Sequence, residues 1–423
     1  MGQGLIIAAP SSGAGKTTVT LALLRLLSRQ GIAVRGAKSG PDYIDPRFHE
    51  AACGAPCFNL DAWAMGPDRL RGLAAGDGSL IVEGAMGLFD GAPPDGSGSA
   101  AHLAKVLNLP VLLVVDAGRM AGSVAALVEG FANHDPGVRV AGVIFNNVGS
   151  DRHSEILKRV MAQSPIPVLA YLLRDPRLVH PSRHLGLTQA FERSDLEDFL
   201  NTAADALTKT LDQSALMDLF ASLPTPAHPS NMPPPAQVIA MAQDTAFAFA
   251  YPHLLRDWRN AGAEIHLFSP LADEAAPKAD LIFLPGGYPE LHAGRLVAAT
   301  RFLNSLKSAA LNTEIYGECG GYMVLGDGLV DGEGNRHAMA GLLRLETSFE
   351  QRKLHLGYRD VTPLGGVFDT PLKAHEFHYA SILGADGDAL FAAQDAEGRE
   401  LPPMGLRLGR VSGSFAHVID MAR

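Results

Sequence analysis

The stretch Leu5-Ile-Ile-Ala-Ala-Pro-Ser-Ser-Gly-Ala-Gly-Lys-Thr-Thr18 joins an apolar run to the start of an amphipathic segment. A phosphate-binding loop needs this setting between a strand and a helix, where backbone N–H groups face the phosphates. Lys16 would reach the terminal phosphates, and the Thr17 hydroxyl would bind Mg²⁺. Pro10 replaces the first glycine of the usual pattern. We therefore predict a nucleotide site formed by Gly13, Gly15, Lys16, Thr17 and Thr18.

The composition of the 423-residue chain predicts a packed globular protein of two or three domains. Its residues are 47% hydrophobic and 19% charged, and apolar runs such as residues 109–115 are far shorter than the ~20 residues of a membrane helix. No basic segment precedes residues 5–9, so we expect no signal peptide, no membrane partner and a cytoplasmic location. The net charge of −10 weighs against a nucleic-acid partner. Three cysteines predict neither a disulfide framework nor a zinc site.

Apolar runs alternate with amphipathic segments along the first half of the chain, which predicts strands separated by helices. Such strands are buried on both faces, so the α/β fold should contain a doubly wound, mostly parallel sheet. A helical stretch from Asp195 to about Leu219 closes this half. The predicted strands cover residues 5–9, 32–37, 80–83, 111–116, 138–146 and 168–172.

A proline-rich segment divides the chain, because six prolines lie between residues 223 and 237. Proline fixes the backbone and removes hydrogen-bond donors, so this segment is predicted to be a linker. The alternation restarts after it and becomes richer in strands from Ala338 onward. The predicted organisation is an N-terminal nucleotide-binding α/β domain at residues 1–222, a linker at 223–236 and a second α/β domain at 237–423.

Acidic residues follow two predicted strands of the first half. Asp42 and Asp45 lie in Lys38-Ser-Gly-Pro-Asp-Tyr-Ile-Asp-Pro46, and Glu83 ends the strand at 80–83. Ligands bind at the carboxyl ends of strands in open α/β sheets, and Mg²⁺ favours a few carboxylates with phosphate oxygens. We therefore predict that Thr17, Asp42 and Glu83 hold the metal. The alternative for Asp42 and Asp45 is that they cap turns.

Basic side chains gather in His180-Pro-Ser-Arg-His184. Arginine binds carboxylates through two hydrogen bonds, so this segment could recognise an acidic substrate. The alternative is a solvated loop. The predicted substrate-binding residues are Tyr43, Asp45, Arg183 and His184.

The second half contains a cysteine in a glycine-rich turn, Gly317-Glu-Cys-Gly-Gly321, between a predicted strand and a predicted helix. This pattern is typical of a nucleophile elbow, in which the helix N-terminus should lower the pKa of the Cys319 thiol. Backbone N–H groups around Gly286 and Gly287 are predicted to form an oxyanion hole. Near the C-terminus, His417 is the candidate base.

Several motifs resemble the corrin a,c-diamide synthases of vitamin B12 biosynthesis, whose nucleotide domain is similar to dethiobiotin synthetase. The resemblance rests on the glycine-rich loop and on Gly40-Pro-Asp-Tyr-Ile-Asp-Pro-Arg-Phe-His49, Asn59-Leu-Asp-Ala-Trp63, Val82-Glu-Gly-Ala-Met-Gly-Leu-Phe-Asp-Gly91 and Pro181-Ser-Arg-His-Leu-Gly-Leu187. It implies that ATP is a co-substrate which phosphorylates a side-chain carboxylate, and that ammonia then displaces the phosphate.

The second half resembles the class I glutamine amidotransferase domains of the cobyric and cobyrinic subgroup. The stretches at residues 243–251, 356–358 and 375–379 share this resemblance. Ordinary class I domains carry an acid two residues after the base histidine, but this chain has Ile419 there and Asp420 next. The resemblance therefore implies a Cys319–His417 dyad rather than a triad.

The combined prediction is an ATP- and glutamine-dependent ligase that amidates the a and c carboxylates of hydrogenobyrinic or cobyrinic acid, with Mg²⁺ as cofactor. The Ala-Pro-Ser-Ser-Gly start of the loop resembles enzymes that use cobalt-free hydrogenobyrinic acid. The sequence leaves open whether the protein forms a homodimer. The alternatives are a cobyric acid synthase, which amidates other carboxylates, a partitioning-type ATPase switch and a regulatory pseudoenzyme.

Overall fold

The computed structural model describes residues 2–179, 182–183, 186–187, 189–228 and 230–422, with the backbone alone at 182–183 and 186–187. The chain forms two compact units, Met1–Ser230 and Asn231–Arg423. The boundary between them lies inside the proline-rich segment at 223–236. No helix of the described residues has both the length and the apolar character that a membrane crossing requires.

The helices of the first unit are α1 Lys16–Arg29, α2 Asp45–Cys53, α3 Pro67–Ala74, α4 Ala100–Leu107, α5 Ser123–His134, α6 Asp151–Met161, α7 Leu196–Thr208 and α8 Gln213–Leu219. Its strands are β1 Gln3–Ala8, β2 Val34–Ser39, β3 Phe58–Leu60, β4 Ser79–Glu83, β5 Val111–Asp116, β6 Val140–Val148, β7 Val168–Leu173, β8 Ser182–Arg183, β9 Gly186–Leu187 and β10 Ala221–Ser222. Short 3₁₀ turns cover Pro176–Leu178 and Ala190–Glu192.

The helices of the second unit are α9 Pro252–Asn260, α10 Ala293–Ala298, α11 Thr300–Ala309 and α12 Gly320–Leu325. Its strands are β11 Val238–Ala242, β12 Glu264–Phe268, β13 Leu281–Leu284, β14 Glu314–Glu318, β15 Gly328–Val330, β16 Arg336–Ala338, β17 Arg344–Ser348, β18 His355–Pro363, β19 Leu372–His378, β20 Ser381–Asp386, β21 Phe391–Asp395, β22 Glu400–Met404, β23 Leu406–Leu408, β24 Val411–Ser414 and β25 Ala416–Met421. Short 3₁₀ turns cover Pro270–Ala272 and Pro289–Leu291.

The first unit is built on a parallel sheet in the order β3-β2-β4-β1-β5-β6-β7, with β10 antiparallel to β1. This arrangement confirms the predicted α/β architecture. The register aligns Glu83 of β4 with Lys38 of β2 on one side and Ile7 of β1 on the other. The glycine-rich loop follows β1, so its phosphate-facing end lies at the same sheet edge as Lys38 and Glu83.

Helix α1 is buried on most of its surface because it packs between the sheet and α7. Its leucines share a core with apolar side chains of α7, including Leu200 and Leu207. The predicted single helical stretch after Asp195 is two helices instead. The second begins where the Asp212 carboxylate accepts the Ala215 N–H at 3.0 Å, which is a standard helix cap.

The proline-rich segment is attached to the first unit over part of its length. The Asp68 carboxylate accepts the N–H groups of Ala227 and His228 at 3.1 and 3.3 Å, and Arg69 donates to the Ser230 carbonyl at 3.0 Å. These contacts explain why the first unit extends beyond residue 222, which the composition alone suggested as its end.

The second unit has a sheet in the order β12-β11-β13-β14-β24-β23, in which only β23 is antiparallel. Two further sheets, β16-β15-β17-β20 and β22-β21-β18-β19-β25, form the strand-rich part expected after Ala338. The chain leaves the six-stranded sheet at Ser414, the end of β24, and enters the β22-β21-β18-β19-β25 sheet at Ala416, the start of β25. This crossing brings His417 close to the carboxyl ends of β14 and β24.

The core of the second unit predicts a strong effect for Phe302, whose side chain is fully buried against the rings of Phe247 and Phe268. Phe302→Ala should reduce the free energy of unfolding of this unit by about 3–5 kcal/mol, because it removes apolar contacts and leaves a cavity. Leu311→Ala is the matched control, since Leu311 is 76% exposed, and it should cost less than about 0.5 kcal/mol. Urea unfolding curves of the two variants would measure the difference, and equal midpoints would contradict the assignment of this core.

Candidate active sites

The glycine-rich loop has a backbone shape that depends on two glycines. Gly13 and Gly15 have φ values of 80° and 94°, which residues other than glycine rarely adopt. The Asn146 side-chain amide donates to the Ala14 carbonyl at 2.9 Å. This places the amide so close to Gly15 that a Cβ there would collide with the amide nitrogen. Helix α1 begins directly after Gly15, which directs its unpaired N–H groups toward the loop.

Two loop side chains are held by residues at the end of β4. Lys16 Nζ donates to the carbonyls of Met86 at 2.6 Å and Ser11 at 3.3 Å, while burial lowers its pKa. Thr17 Oγ1 donates to Glu83 Oε1 at 2.6 Å. The structure therefore brings together Lys16, Thr17 and Glu83, which were predicted from separate stretches of sequence.

Glu83 is the centre of a buried polar cluster. Lys38 Nζ lies 2.9 Å from Glu83 Oε1 and 2.6 Å from Asp45 Oδ2, and His49 Nε2 lies 2.7 Å from Glu83 Oε2. Burial favours a raised pKa for Glu83, but Lys38, His49 and Thr17 together lower it below its ordinary value. Glu83 is therefore an ionised carboxylate next to the Thr17 hydroxyl.

Lys38 and His49 belong to sequence motifs of the first half, but the motifs did not predict a role for either residue. The aligned ends of β2 and β4 could have indicated the pairing of Lys38 with Glu83, because parallel neighbours end at the same edge. His49 lies on α2, and nothing in its sequence spacing predicts that it reaches Glu83.

Asp42 occupies the turn before α2, where its Oδ1 accepts the N–H groups of Ile44 at 2.7 Å and Asp45 at 3.0 Å. This is the turn-capping role that the sequence left open as the alternative. Asp45 is buried, and both burial and the charge of Asp42 raise its pKa to about 7. Tyr43 lies between Asp42 and Asp45 in the sequence and was also predicted to bind substrate. Its side chain is largely buried.

A cavity of about 550 Å³ lies beside the glycine-rich loop. Thr18, Asn146, Asn147 and Arg174 contribute polar groups to its wall, and Leu173 and Leu178 contribute apolar ones. Sequence reasoning included Thr18 and missed the other polar residues. The asparagine pair lies at the end of the strand predicted at residues 138–146, so the same strand-end rule that indicated Glu83 could have found it.

The predicted carboxylate-binding segment is described in part. The backbone of Arg183 lies in β8, which pairs with β9 in an antiparallel turn. His180 and His184 lie outside the described residues, and the side chain of Arg183 is not described.

The cysteine turn of the second unit is an elbow with an unusual backbone. Cys319 has φ 46° and ψ −102°, between β14 and α12, and its N–H donates to the Ser414 carbonyl at 2.8 Å. A Cβ at Gly321 would collide with the Leu284 carbonyl, and one at Gly317 would lie 2.7 Å from the Gly321 backbone. Gly317 and Gly321 must therefore both be glycine, because neighbouring backbone atoms leave no room for a Cβ at either position.

The Gly286-Gly287 turn lies against both Gly320 of the cysteine turn and the predicted base, His417. A Cβ at Gly286 would collide with the His417 ring, and one at Gly320 would lie 2.9 Å from Gly287 N. His417 is fully buried on β25, opposite His375 of β19. The predicted nucleophile, oxyanion-hole glycines and base therefore occupy one site.

The pKa of the Cys319 thiol differs from the sequence expectation. Burial raises it well above its ordinary value, and the charges of Glu290, Glu318 and Glu376 raise it further. The Gly320 N–H lowers this pKa, as expected for a helix start, but α12 has only 6 residues and the effect is outweighed. The prediction of a lowered pKa was therefore wrong, because glycine spacing does not reveal how deeply the thiol is buried.

His417 has the opposite shift, since burial and then the neighbouring His375 and His378 lower its pKa to about 3. Its imidazole is therefore neutral and can accept a proton from a thiol. Its Nδ1 lies 3.7 Å from Glu318 Oε2. Sequence reasoning weighed Asp420 as the acid partner and missed Glu318, which directly precedes the nucleophile.

One further cluster has the composition of a metal site. His355, Glu376 and His378 place ligand atoms within 4.8 Å of one another. However, Arg359 lies 2.7 Å from Glu376, and the two nitrogens of His378 lie 3.0 Å from the Ala380 carbonyl and from Glu376. These contacts already engage Glu376 and both ring nitrogens of His378, so we assign no metal to the cluster.

Comparison with known families agrees with the two-site arrangement. The CobQ/CobB/MinD/ParA nucleotide binding domain model matches residues 5–187, and the CobB/CobQ-like glutamine amidotransferase domain model matches residues 238–423. A partitioning ATPase would leave the second match unexplained. Among solved structures, a glutamine amidotransferase matches 38% of this chain and 80% of its own, at 16% identity and a TM-score of 0.28, too low to bear on the argument.

Similar proteins with curated names cover the whole length of the chain. Hydrogenobyrinate a,c-diamide synthases from Sinorhizobium sp and Brucella abortus biovar 1 (strain 9-941) are each 54% identical over 99% of both chains. The protein of that name from Rhizobium meliloti (strain 1021) is 52% identical over 99% of this chain and 100% of its own. The chain therefore belongs to the hydrogenobyrinate a,c-diamide synthase family, in which a nucleotide-binding domain is joined to a glutamine amidotransferase domain.

Proposed function

We propose that this protein uses ATP and glutamine to convert the a and c carboxylates of hydrogenobyrinic acid into amides. The observation that carries the proposal is the presence of two chemically different sites in one chain. One joins a phosphate-binding loop to an ionised carboxylate through the Thr17–Glu83 contact of 2.6 Å. The other places Cys319 in a strained elbow beside a neutral imidazole, His417.

The residues of the first site fit Mg²⁺, because the Thr17 hydroxyl and the Glu83 carboxylate are adjacent hard oxygen donors. Mg²⁺ bound there would neutralise charge on the ATP phosphates. Lys38 and His49 keep Glu83 ionised and fixed in orientation. Lys16 would exchange its contact with the Met86 carbonyl for the phosphates, and the cavity beside Thr18, Asn146 and Asn147 would receive the nucleoside.

We propose a ligase step through an acyl phosphate, as the family resemblance implies. An oxygen of the substrate carboxylate attacks the terminal phosphorus of ATP, the bond to the bridging oxygen breaks, and ADP leaves. Ammonia then attacks the acyl carbon of the resulting acyl phosphate, and inorganic phosphate leaves with the pair of electrons of the C–O bond. Asp45, Tyr43, Arg183 and His184 are proposed to bind the ring substrate.

The glutaminase step supplies the ammonia. Cys319 Sγ attacks the amide carbon of glutamine while His417 accepts the thiol proton. Backbone N–H groups of the Gly286-Gly287 turn and of the elbow stabilise the oxyanion. Ammonia leaves with the proton from His417, and water hydrolyses the thioester to give glutamate.

Substitution of the nucleophile should separate the two chemistries. Cys319→Ala should abolish glutamine hydrolysis and glutamine-driven amidation, because the glutaminase site requires a thiol. It should leave amidation driven by high ammonium concentrations within about twofold of the wild type, since the ligase site lies in the other unit. Product formation from each nitrogen source measures both effects. His417→Ala should give the same separation, and loss of both activities in a folded variant would contradict two independent sites.

The metal assignment predicts unequal effects for two carboxylates. Glu83→Gln should reduce ligation about 100-fold and increase its Mg²⁺ requirement, because the ionised ligand beside Thr17 is lost. Asp42→Asn should change ligation less than about threefold, since an amide oxygen can still accept the two turn hydrogen bonds. Turnover as a function of Mg²⁺ concentration, with thermal melting as the control for folding, separates them. An equally large Asp42→Asn effect with a raised Mg²⁺ requirement would make Asp42 a metal ligand as well.

The ring substrate is tested by mass spectrometry of the products. With ATP and glutamine, hydrogenobyrinic acid should gain two amide groups, and fragmentation should place them on the a and c side chains. Cobyrinic acid offered separately should react more slowly. Amidation at other carboxylates would favour the cobyric acid synthase alternative, and preferential use of cobyrinic acid would overturn the proposed substrate.

A further inference from the structure

Glu290 is a buried carboxylate without an adequate partner. It lies in the short turn Pro289–Leu291 with only 9% of its surface exposed, and its buried Oε2 has no hydrogen-bond partner among the described residues. An unpaired buried carboxylate is costly, and burial raises the pKa of Glu290 to about 8. A buried carboxylate with an unpaired oxygen is suited to bind a cationic group of a ligand.

The turn that carries Glu290 packs against the nucleophile elbow. A Cβ at Gly320 would lie 2.9 Å from Pro289 Cδ and 2.9 Å from Gly287 N. Glu290 is also the charged group with the largest effect on the pKa of Cys319, after burial itself. Its carboxylate therefore belongs to the glutaminase site.

The other two carboxylates near Cys319 are already engaged. Glu318 Oε1 accepts the Val418 N–H and the Tyr316 hydroxyl, each at 3.2 Å. Glu376 is paired with Arg359 at 2.7 Å and with His378 at 3.0 Å. Glu290 forms no salt bridge in the described part of the chain, although the exposed Arg352 lowers its pKa. Of the three, Glu290 is the one with a buried carboxylate oxygen, Oε2, that has no hydrogen bond among the described residues.

Glutamine presents one cationic group, its α-ammonium, a few bonds from the amide that Cys319 attacks. We propose that Glu290 binds the α-ammonium of glutamine and so selects α-amino acid amides over simple amides. This inference rests on the proposed glutaminase activity. It also gives substrate binding a second effect, because the ammonium would favour the ionised form of Glu290 and offset its negative charge, which would otherwise raise the pKa of the Cys319 thiol.

The test compares glutamine with glutaramate, the same molecule without its α-amino group, in the full-length enzyme. Glu290→Gln should reduce kcat/KM for glutamine hydrolysis by about 10- to 100-fold, mainly through KM, because a charge-assisted hydrogen bond is lost. The inhibition constant of glutaramate against glutamine hydrolysis should change less than about twofold. The exposed Glu400→Gln is the matched control and should change neither quantity.

The thermal melting curve and the near-UV circular dichroism spectrum of Glu290→Gln, which report on the folding of both units, should match those of the wild type. An unchanged KM for glutamine in Glu290→Gln would overturn the proposal. So would equal weakening of glutamine and glutaramate, which would indicate that Glu290 shapes the site without contacting the ammonium. Absence of glutamine hydrolysis in the wild type would instead refute the proposed function, and the two failures are therefore distinguishable.

Discussion

The parallel pairing of strands is the constraint on which both sites depend. Neighbouring parallel strands end at the same edge of a sheet, so side chains and loops that follow them meet there even when they are far apart in sequence. In the first unit this rule aligns Lys38 with Glu83 beside the glycine-rich loop. In the second it aligns Glu318 of β14 with Ser414 of β24, which brings the nucleophile elbow next to the chain segment that carries the base.

The two units use this shared geometry for opposite electrostatic purposes. In the first, Lys38 and His49 surround Glu83 and keep a buried carboxylate charged. In the second, burial keeps His417 neutral and the Cys319 thiol protonated before substrate arrives. A site for a metal and phosphates needs permanent charge, whereas a site that transfers a proton needs groups whose charge can change during the reaction.

The sequence predicts features that depend on local pattern and misses those that depend on packing. The glycine-rich loop, the parallel sheet and the elbow were predictable because each needs particular residues at fixed spacing. The contact between His417 and Glu318 was not, because it requires the crossing from β24 to β25 between two sheets. The pKa of Cys319 was predicted in the wrong direction for a related reason, since burial by distant residues decides it. Asp42 shows a third limit, because its motif fits both the turn capping that the structure shows and the metal binding that stays a prediction.

The backbone of Cys319 has a consequence for the evolution and engineering of this protein. A non-glycine residue at φ 46° is strained by roughly 1 kcal/mol or more, and glycine would relieve that strain. Selection for thermal stability alone would therefore favour loss of the nucleophile at this position. Because the cysteine opposes the conformational preference of its own backbone, a stability-guided redesign of this domain must hold residue 319 fixed.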